Sequence, residues 1–324
     1  MSKLDMARAL SCEVPEKNIP IWELEFHGWN LFSDKKAYFG TEFENLDDSK
    51  KNQAVKDNTE IIIDVAKRLH FSGITVPGWY WEVAPGDPAY LWLPDGYREQ
   101  QITELVEAAG DDFMIIASPG GVMSMPGASD YVEFCYMLFD DPEKVDDIAK
   151  KVYEDGVECM KGLKKLGVDA VFTASDIADN RGLFFNPEQM DRYILPYLKD
   201  WSAEVKKEGM FSILHTDGNI NDAIEDIVST GVNAIQAIDP IAGMDIVKLK
   251  EQVNGRLCLC GNIDCGLLLT ATPDEIEKVT IDTINNCKEG GGYVLGASNA
   301  VQQEVLADNY EAISHGWEKA GRLS

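Results

Sequence analysis

Positive charge is scarce in this sequence. Lysine and arginine number 29 against 56 aspartates and glutamates, a formal net charge of -27, and arginine alone occurs only seven times. Such a surface repels phosphate backbones and anionic lipid, so neither nucleic acid nor a membrane surface is an expected partner. The shortage also argues against a polyanionic substrate unless arginines cluster locally. Long apolar runs are missing as well. No stretch approaches the ~18 continuous apolar residues of a membrane span, and the first residues carry no signal-type apolar core, so the expected address is the cytoplasm. The seven cysteines are an odd number scattered through the chain. They read as reduced thiols rather than a disulfide framework. With no Walker loop, GxGxxG or GxSxG, nucleotide-dependent and serine-hydrolase chemistries lack support.

What is present is a core. Apolar residues make up 45% of the 324, which excludes disorder as the main state. No polar linker divides the chain, and short β-prone apolar runs alternate with helical patterns. Strands are expected at 20–27, 73–77, 113–118, 170–175, 211–215, 234–238, 257–260 and 293–296. Between them, Val145, Ile148, Val152, Met160 and Leu163 repeat close to a 3.6-residue period, and Gly167 closes that helix. Thr272-Pro-Asp-Glu275 is a capping box with proline at the first helical position, and the helix it opens ends at Gly290-Gly-Gly292. Pro196 should kink or divide a helix over 187–207. Buried strands each followed by a helix predict an α/β fold, a single (β/α)8 TIM-type barrel over residues 1–324. Residues 77–98, rich in Trp, Pro and Gly, are expected as a lid over the barrel mouth.

In such a barrel the chemistry sits where the strands end. His215 and Asp217, two apart at the fifth strand end, project to one side. With a thiolate from Cys260 they suit tetrahedral zinc with one open position, and Asp239 is a further candidate. The alternative is structural: Asp217 caps the next helix, His215 is a hydrogen-bonded core residue and Cys260 a small apolar one. Cys258 points the same way but lies deeper, as core. Asp176, Asn262 and Asp264, at other strand ends, are candidate substrate contacts. Trp79, Trp81 and Trp92 either line an aromatic pocket or pack the lid upon itself. His27 can reach the mouth, whereas His70 and His315 fall in helical segments. Glu23 and Glu25 alternate with apolar residues on the first strand, pointing either inward or to a solvated edge.

Several of these motifs are shared with a known group. His215-Thr-Asp-Gly218, Cys260-Gly-Asn-Ile-Asp264, Thr272-Pro-Asp-Glu275, Gly290-Gly-Gly-Tyr293 and the opening Ala9-Leu-Ser-Cys-Glu-Val-Pro-Glu-Lys-Asn-Ile-Pro20 resemble the uroporphyrinogen decarboxylase superfamily. The resemblance runs along the chain, is strongest from about residue 170, and implies a distorted β/α barrel. The superfamily holds true decarboxylases and corrinoid-dependent methyltransferases. The decarboxylases open with an arginine-rich segment that grips a polycarboxylate; here Ile21-Trp-Glu-Leu-Glu-Phe-His27 has no arginine and two glutamates. Its zinc methyltransferases carry His-x-Cys on strand five and a cysteine near strand eight, where this chain has His215-x-Asp217 and Ser298.

The histidine carries over and the two thiolates do not, with Cys260 and Asp239 as stand-ins. The resemblance therefore implies an O-demethylase-type methyltransferase. Its zinc site acts on a small methoxylated compound, and the methyl passes to a cobamide carried by a separate corrinoid protein. The alternatives are a methylcobamide:thiol methyltransferase, a decarboxylase, and a non-catalytic binding barrel. Monomer and homodimer are both compatible with the sequence.

Overall fold

The computed structural model describes residues 2–78 and 89–323. Nine short strands are described: β1 Gly73–Thr75, β2 Met114–Ala117, β3 Ala170–Ala174, β4 Ala178–Asp179, β5 Gly182–Leu183, β6 Phe211–Thr216, β7 Ala234–Ala237, β8 Cys258–Cys260 and β9 Tyr293–Val294. Seven of them form a curled parallel sheet in the order β1-β2-β3-β6-β7-β8-β9, and β4 and β5 form a separate antiparallel ribbon. Six of the seven sheet strands fall inside expected segments, and β6 overruns its segment by one residue, Thr216. The apolar runs were legible because both faces of this sheet are covered, which removes polar alternation.

Alternate residues build two apolar clusters. Ile115, Val171, Leu214, Ile235 and Leu259 face the surrounding helices. Met114, Ile116, Phe172, Ile213, Ala234, Cys258, Cys260 and Val294 meet inside the curl, together with Trp22 and Leu24. Met6, Ala9 and Leu10 of the N-terminal helix Lys3–Leu10 join this inner cluster. Lys3 pairs with Asp169, just ahead of β3, so that helix plugs the end where the strands begin. The opposite end is left for chemistry.

The expected first strand is not a strand. Within 20–27, Ile21 makes single parallel bridges, to Phe71 beside β1 and to Leu295 beside β9, and Phe26 makes one to Val301. The Trp22 N–H still donates to the Leu295 carbonyl, and side chains replace the ladder at Glu23. The Glu23 carboxylate accepts from the Ala297 N–H at 2.9 Å, and the Thr75 hydroxyl donates to the Glu23 carbonyl at 2.9 Å. Groups that would pair backbone to backbone are thus taken at Glu23, two residues past Ile21, and seven strands with a bridging segment stand where eight strands are expected.

Glu23 itself is buried. Its second oxygen accepts from the Tyr310 hydroxyl at 2.6 Å. Burial pushes its carboxyl up to about 7, against the two hydrogen bonds that favour the charged form. A folded-state value above the unfolded one gives a stability increment that is complete below about 4.5 and lost as pH rises through about 7. Glu23→Gln can accept from Ala297 and donate to Tyr310 without carrying charge. The variant should therefore exceed the wild type by about 1–3 kcal/mol at pH 8 and match it near pH 4.5, measured by urea unfolding at both. An advantage independent of pH would refute the burial account.

The helices follow their sequence signals. Pro142–Lys165 is continuous, and Gly167 just beyond it has φ +94°. The Thr272–Glu275 box is formed, with the Thr272 N–H donating to Glu275 at 2.9 Å, and the helix runs Pro273–Cys287. Pro196 divides its segment as expected: a π turn at Met190–Ile194 separates Pro187–Gln189 from the helix Leu195–Lys207. Among the described residues, no helix is long and apolar enough to cross a membrane.

Candidate active site

A cavity of about 440 Å³ opens where the strands end, lined by Leu24, Glu25, Phe172, Ala174, Asp176, His215, Asp217, Asp239, Ile241, Asp264, Cys265, Ser298, Asn299, Ala300 and Gln302. Its principal acidic and imidazole groups, Asp176, His215, Asp217, Asp239 and Asp264, follow or end sheet strands. His215 is the penultimate residue of β6 and Asp217 follows its last, so both project to one side. Asp176 lies two residues beyond β3, the neighbour of β6 in the sheet.

These three come together. One ligand atom from each of Asp176, His215 and Asp217 lies within 4.8 Å of the others. Nε2 of His215 is 3.9 Å from Asp176 Oδ1 and 4.0 Å from Asp217 Oδ1. Those spacings exceed a hydrogen bond. They are somewhat above the ~3.4 Å edge of a tetrahedron with ~2.05 Å metal–ligand bonds. The donors therefore stand around a space rather than bonding one another, and Asp217 Oδ1 is buried with no hydrogen-bond partner among the described residues. An imidazole nitrogen and two carboxylates, one with an orphaned oxygen, fit a divalent cation.

The surroundings hold this arrangement. The Asp217 N–H donates to Asp176 Oδ1 at 3.0 Å. The Asn299 amide donates to Asp217 Oδ2 at 2.6 Å, its own oxygen accepting from the Ala300 N–H at 2.7 Å. His215 Nδ1 lies 2.5 Å from Gln236 Oε1. Burial pushes the Asp217 carboxyl up to about 6; His215 and the Asn299 bond oppose the rise, and the Asp176 and Asp239 charges add to it. A cation bound there replaces repulsion with attraction and favours the ionised form.

Asp239 and Asp264 also line the cavity. Asp239 accepts from the Ile241 N–H at 3.1 Å and Asp264 from the Gly266 N–H at 2.7 Å, each capping the turn that follows. Burial, with a contribution from Asp264, raises the Asp239 carboxyl. Cys265 reaches the cavity as a thiol, because burial lifts it to about 12.

The other expected ligand goes elsewhere. Cys260 is buried in the inner apolar cluster beside Cys258 and does not line the cavity. Strand order gives the reason: β7 lies between β6 and β8 and places Gln236 level with both His215 and Cys260. Asp176, expected as a substrate contact, takes the third position. Asn262 does not line the cavity either; its amide donates to the Ile238 carbonyl at 2.9 Å. Trp92 is absent from the lining too. Trp79 and Trp81 lie outside the described residues. Gln236 is a site residue that motif spacing does not reveal; its one signal is an amide in the apolar run Ala234-Ile-Gln-Ala, because a buried amide must find partners.

The cavity is acidic. Glu25, Asp176, Asp217, Asp239 and Asp264 line it, with no lysine or arginine among the described lining residues. Arginines are spent at the periphery instead, Arg192 on Asp146, Arg256 on Glu225 and Arg68 on Glu311.

Residues 102–316 match the family model described as Uroporphyrinogen decarboxylase (URO-D). The chain belongs to this family. Uroporphyrinogen decarboxylases of Chlorobaculum parvum and Trichodesmium erythraeum are each 25% identical to it, over 191 and 185 residues. Those matches cover 58% and 56% of this chain, and 52% and 49% of the relatives. The chain thus spans about half the length of the curated relatives it matches. A solved structure, a methyltransferase from Methanosarcina mazei, superposes with a TM-score of 0.65 over 98% of both chains at 18% identity, a likeness of fold. Membership of the uroporphyrinogen decarboxylase family agrees with the motif resemblance at His215–Gly218 and Cys260–Asp264.

Proposed function

We propose that this chain is a metal-dependent methyltransferase. It moves the methyl group of a small methoxylated aromatic compound to the cob(I)amide of a separate corrinoid protein. The observation that carries the reading is the Asp176–His215–Asp217 triad, set in a cavity whose described lining holds five carboxylates and no cationic side chain. A wall of that sign opposes the many carboxylates of a porphyrinogen, which weighs against decarboxylation of that substrate. The fold likeness to a solved methyltransferase adds support.

Asp176, His215 and Asp217 hold the metal, which we take to be zinc. When bound, it supplies the Lewis acidity that makes a phenolate a better leaving group. The chain's own groups do the rest. Asn299 orients Asp217, so its buried oxygen stays aimed at the space between the three donors. Leu24, Phe172 and Ile241 offer an apolar wall to a ring, and Trp79 and Trp81 are proposed as further ring contacts. Asp239 and Asp264 face the substrate as hydrogen-bond acceptors. In the balanced reaction, methoxyarene, cob(I)amide and a proton give phenol and methylcob(III)amide. A phenol, with a pKa of about 10, releases far more easily than an aliphatic alcohol.

The zinc-loaded protein, mixed with 2-methoxyphenol and free cob(I)alamin, should produce methylcobalamin and catechol in equal amounts, with little turnover of methanol. Preference for methanol or methylamines over every methoxyarene would sink the aryl-ether assignment. Loss of CO2 from uroporphyrinogen without methyl transfer would sink the methyltransferase reading itself.

A further inference from the structure

We infer that Gln236 is a positioning residue that fixes the ring tautomer of His215 and thereby presents Nε2 as a lone-pair donor. The inference rests on the reading of His215 as a metal ligand, but its central observable does not. Gln236 is 2% exposed, directly opposite His215 in the β6–β7 register. Its two amide ends have different partners, and these decide its orientation. The Nε2 end lies 3.1 Å from the carbonyl of Ala297, which can only accept, so the amide nitrogen must face it. Oε1 is left toward His215, where Nδ1 stands 2.5 Å away. A carbonyl oxygen accepts, so Nδ1 carries the proton.

The other ring nitrogen agrees. A protonated Nε2 would close on a carboxylate at hydrogen-bond length, yet Asp176 and Asp217 stay 3.9 and 4.0 Å away. The acceptor is itself anchored, because the Ala297 N–H donates to buried Glu23, which Tyr310 also holds. A neutral amide in this role has a chemical consequence. It orients the imidazole without adding a third negative charge beside Asp176 and Asp217, so a divalent cation and its ligands sum to zero charge and keep their Lewis acidity.

The test uses intact, metal-free protein with 15N-labelled histidine, which has only four histidines to assign. Long-range 1H–15N correlation spectra distinguish the tautomers directly. Wild type should show the Nδ1–H pattern for His215. Gln236→Leu should shift it to the Nε2–H form or a mixture, and weaken zinc by about 10–100-fold in a chelator competition. Gln236→Glu, which keeps an oxygen acceptor toward Nδ1, should keep the Nδ1–H tautomer.

An Nε2–H pattern in the wild type would overturn the inference without any variant. So would a Gln236→Leu protein that keeps both the tautomer and zinc affinity. His215→Ala separates the two readings. If it binds zinc as tightly as wild type, the metal assignment fails while the tautomer result stands.

Discussion

His215→Ala is expected to lose zinc binding by about 100-fold or more and methyl transfer by at least about 10³-fold, with the fold intact. Its Nε2 makes no hydrogen bond among the described residues, but its Nδ1 meets buried Gln236, so the variant should fold with a stability loss of about 1–3 kcal/mol. The loss comes from the donor set. Without the imidazole, Asp176 and Asp217 are two carboxylates in an acidic cavity, one already raised to about 6 by burial. The remaining pair would hold a cation weakly and share protons instead. Zinc titration, circular dichroism and turnover on the same preparation separate these effects. A variant that folds, lacks zinc and keeps wild-type activity would remove the Lewis acid from the mechanism.

Gly296→Ala should be strongly destabilising to the scaffold. A Cβ there would lie 2.2 Å from the Trp22 carbonyl oxygen and 3.3 Å from its carbon. Backbone is the obstacle, and it cannot swing aside. The Trp22 N–H donates to Leu295 at 2.9 Å, and its indole donates to Thr75 at 2.8 Å. We expect a loss of about 3 kcal/mol or more, a fall in melting temperature of roughly 5–10 °C. Gly162→Ala is the control: it sits within the helix Pro142–Lys165 with nothing within 4 Å of the added carbon. There alanine should gain about 0.5–1 kcal/mol from helix propensity. Equal effects at the two sites would contradict the close approach of Trp22 to the β9 edge.

The scaffold was legible because its signals are local. Short apolar runs marked seven strands, Thr272–Glu275 opened a helix, and Pro196 marked the break filled by a π turn. The segment 20–27 read as a strand because Ile21, Trp22, Leu24 and Phe26 are apolar. The competing signal was Glu23, whose carboxylate takes the Ala297 N–H that a ladder would have used. In the site, His215 and Asp217 were singled out by their two-residue spacing at a strand end together with the His215-Thr-Asp-Gly218 resemblance. Choosing the third donor required strand order, which spacing does not carry. Cys260 suits a metal chemically but is two strands from His215, with Gln236 level between them. Asp176 stands on the adjacent strand's end, and its fit became visible only with the sheet assembled.

The account turns on one claim, that Asp176, His215 and Asp217 form a metal site. Its most direct test is zinc titration of the chelator-stripped protein against a chromophoric competitor, with Asp176→Ala, His215→Ala and Asp217→Ala alongside. The account predicts one tight equivalent per chain in the wild type, lost in all three variants and retained in Cys260→Ser. A wild type that binds no zinc, or whose zinc survives in His215→Ala but leaves with Cys260→Ser, would contradict it.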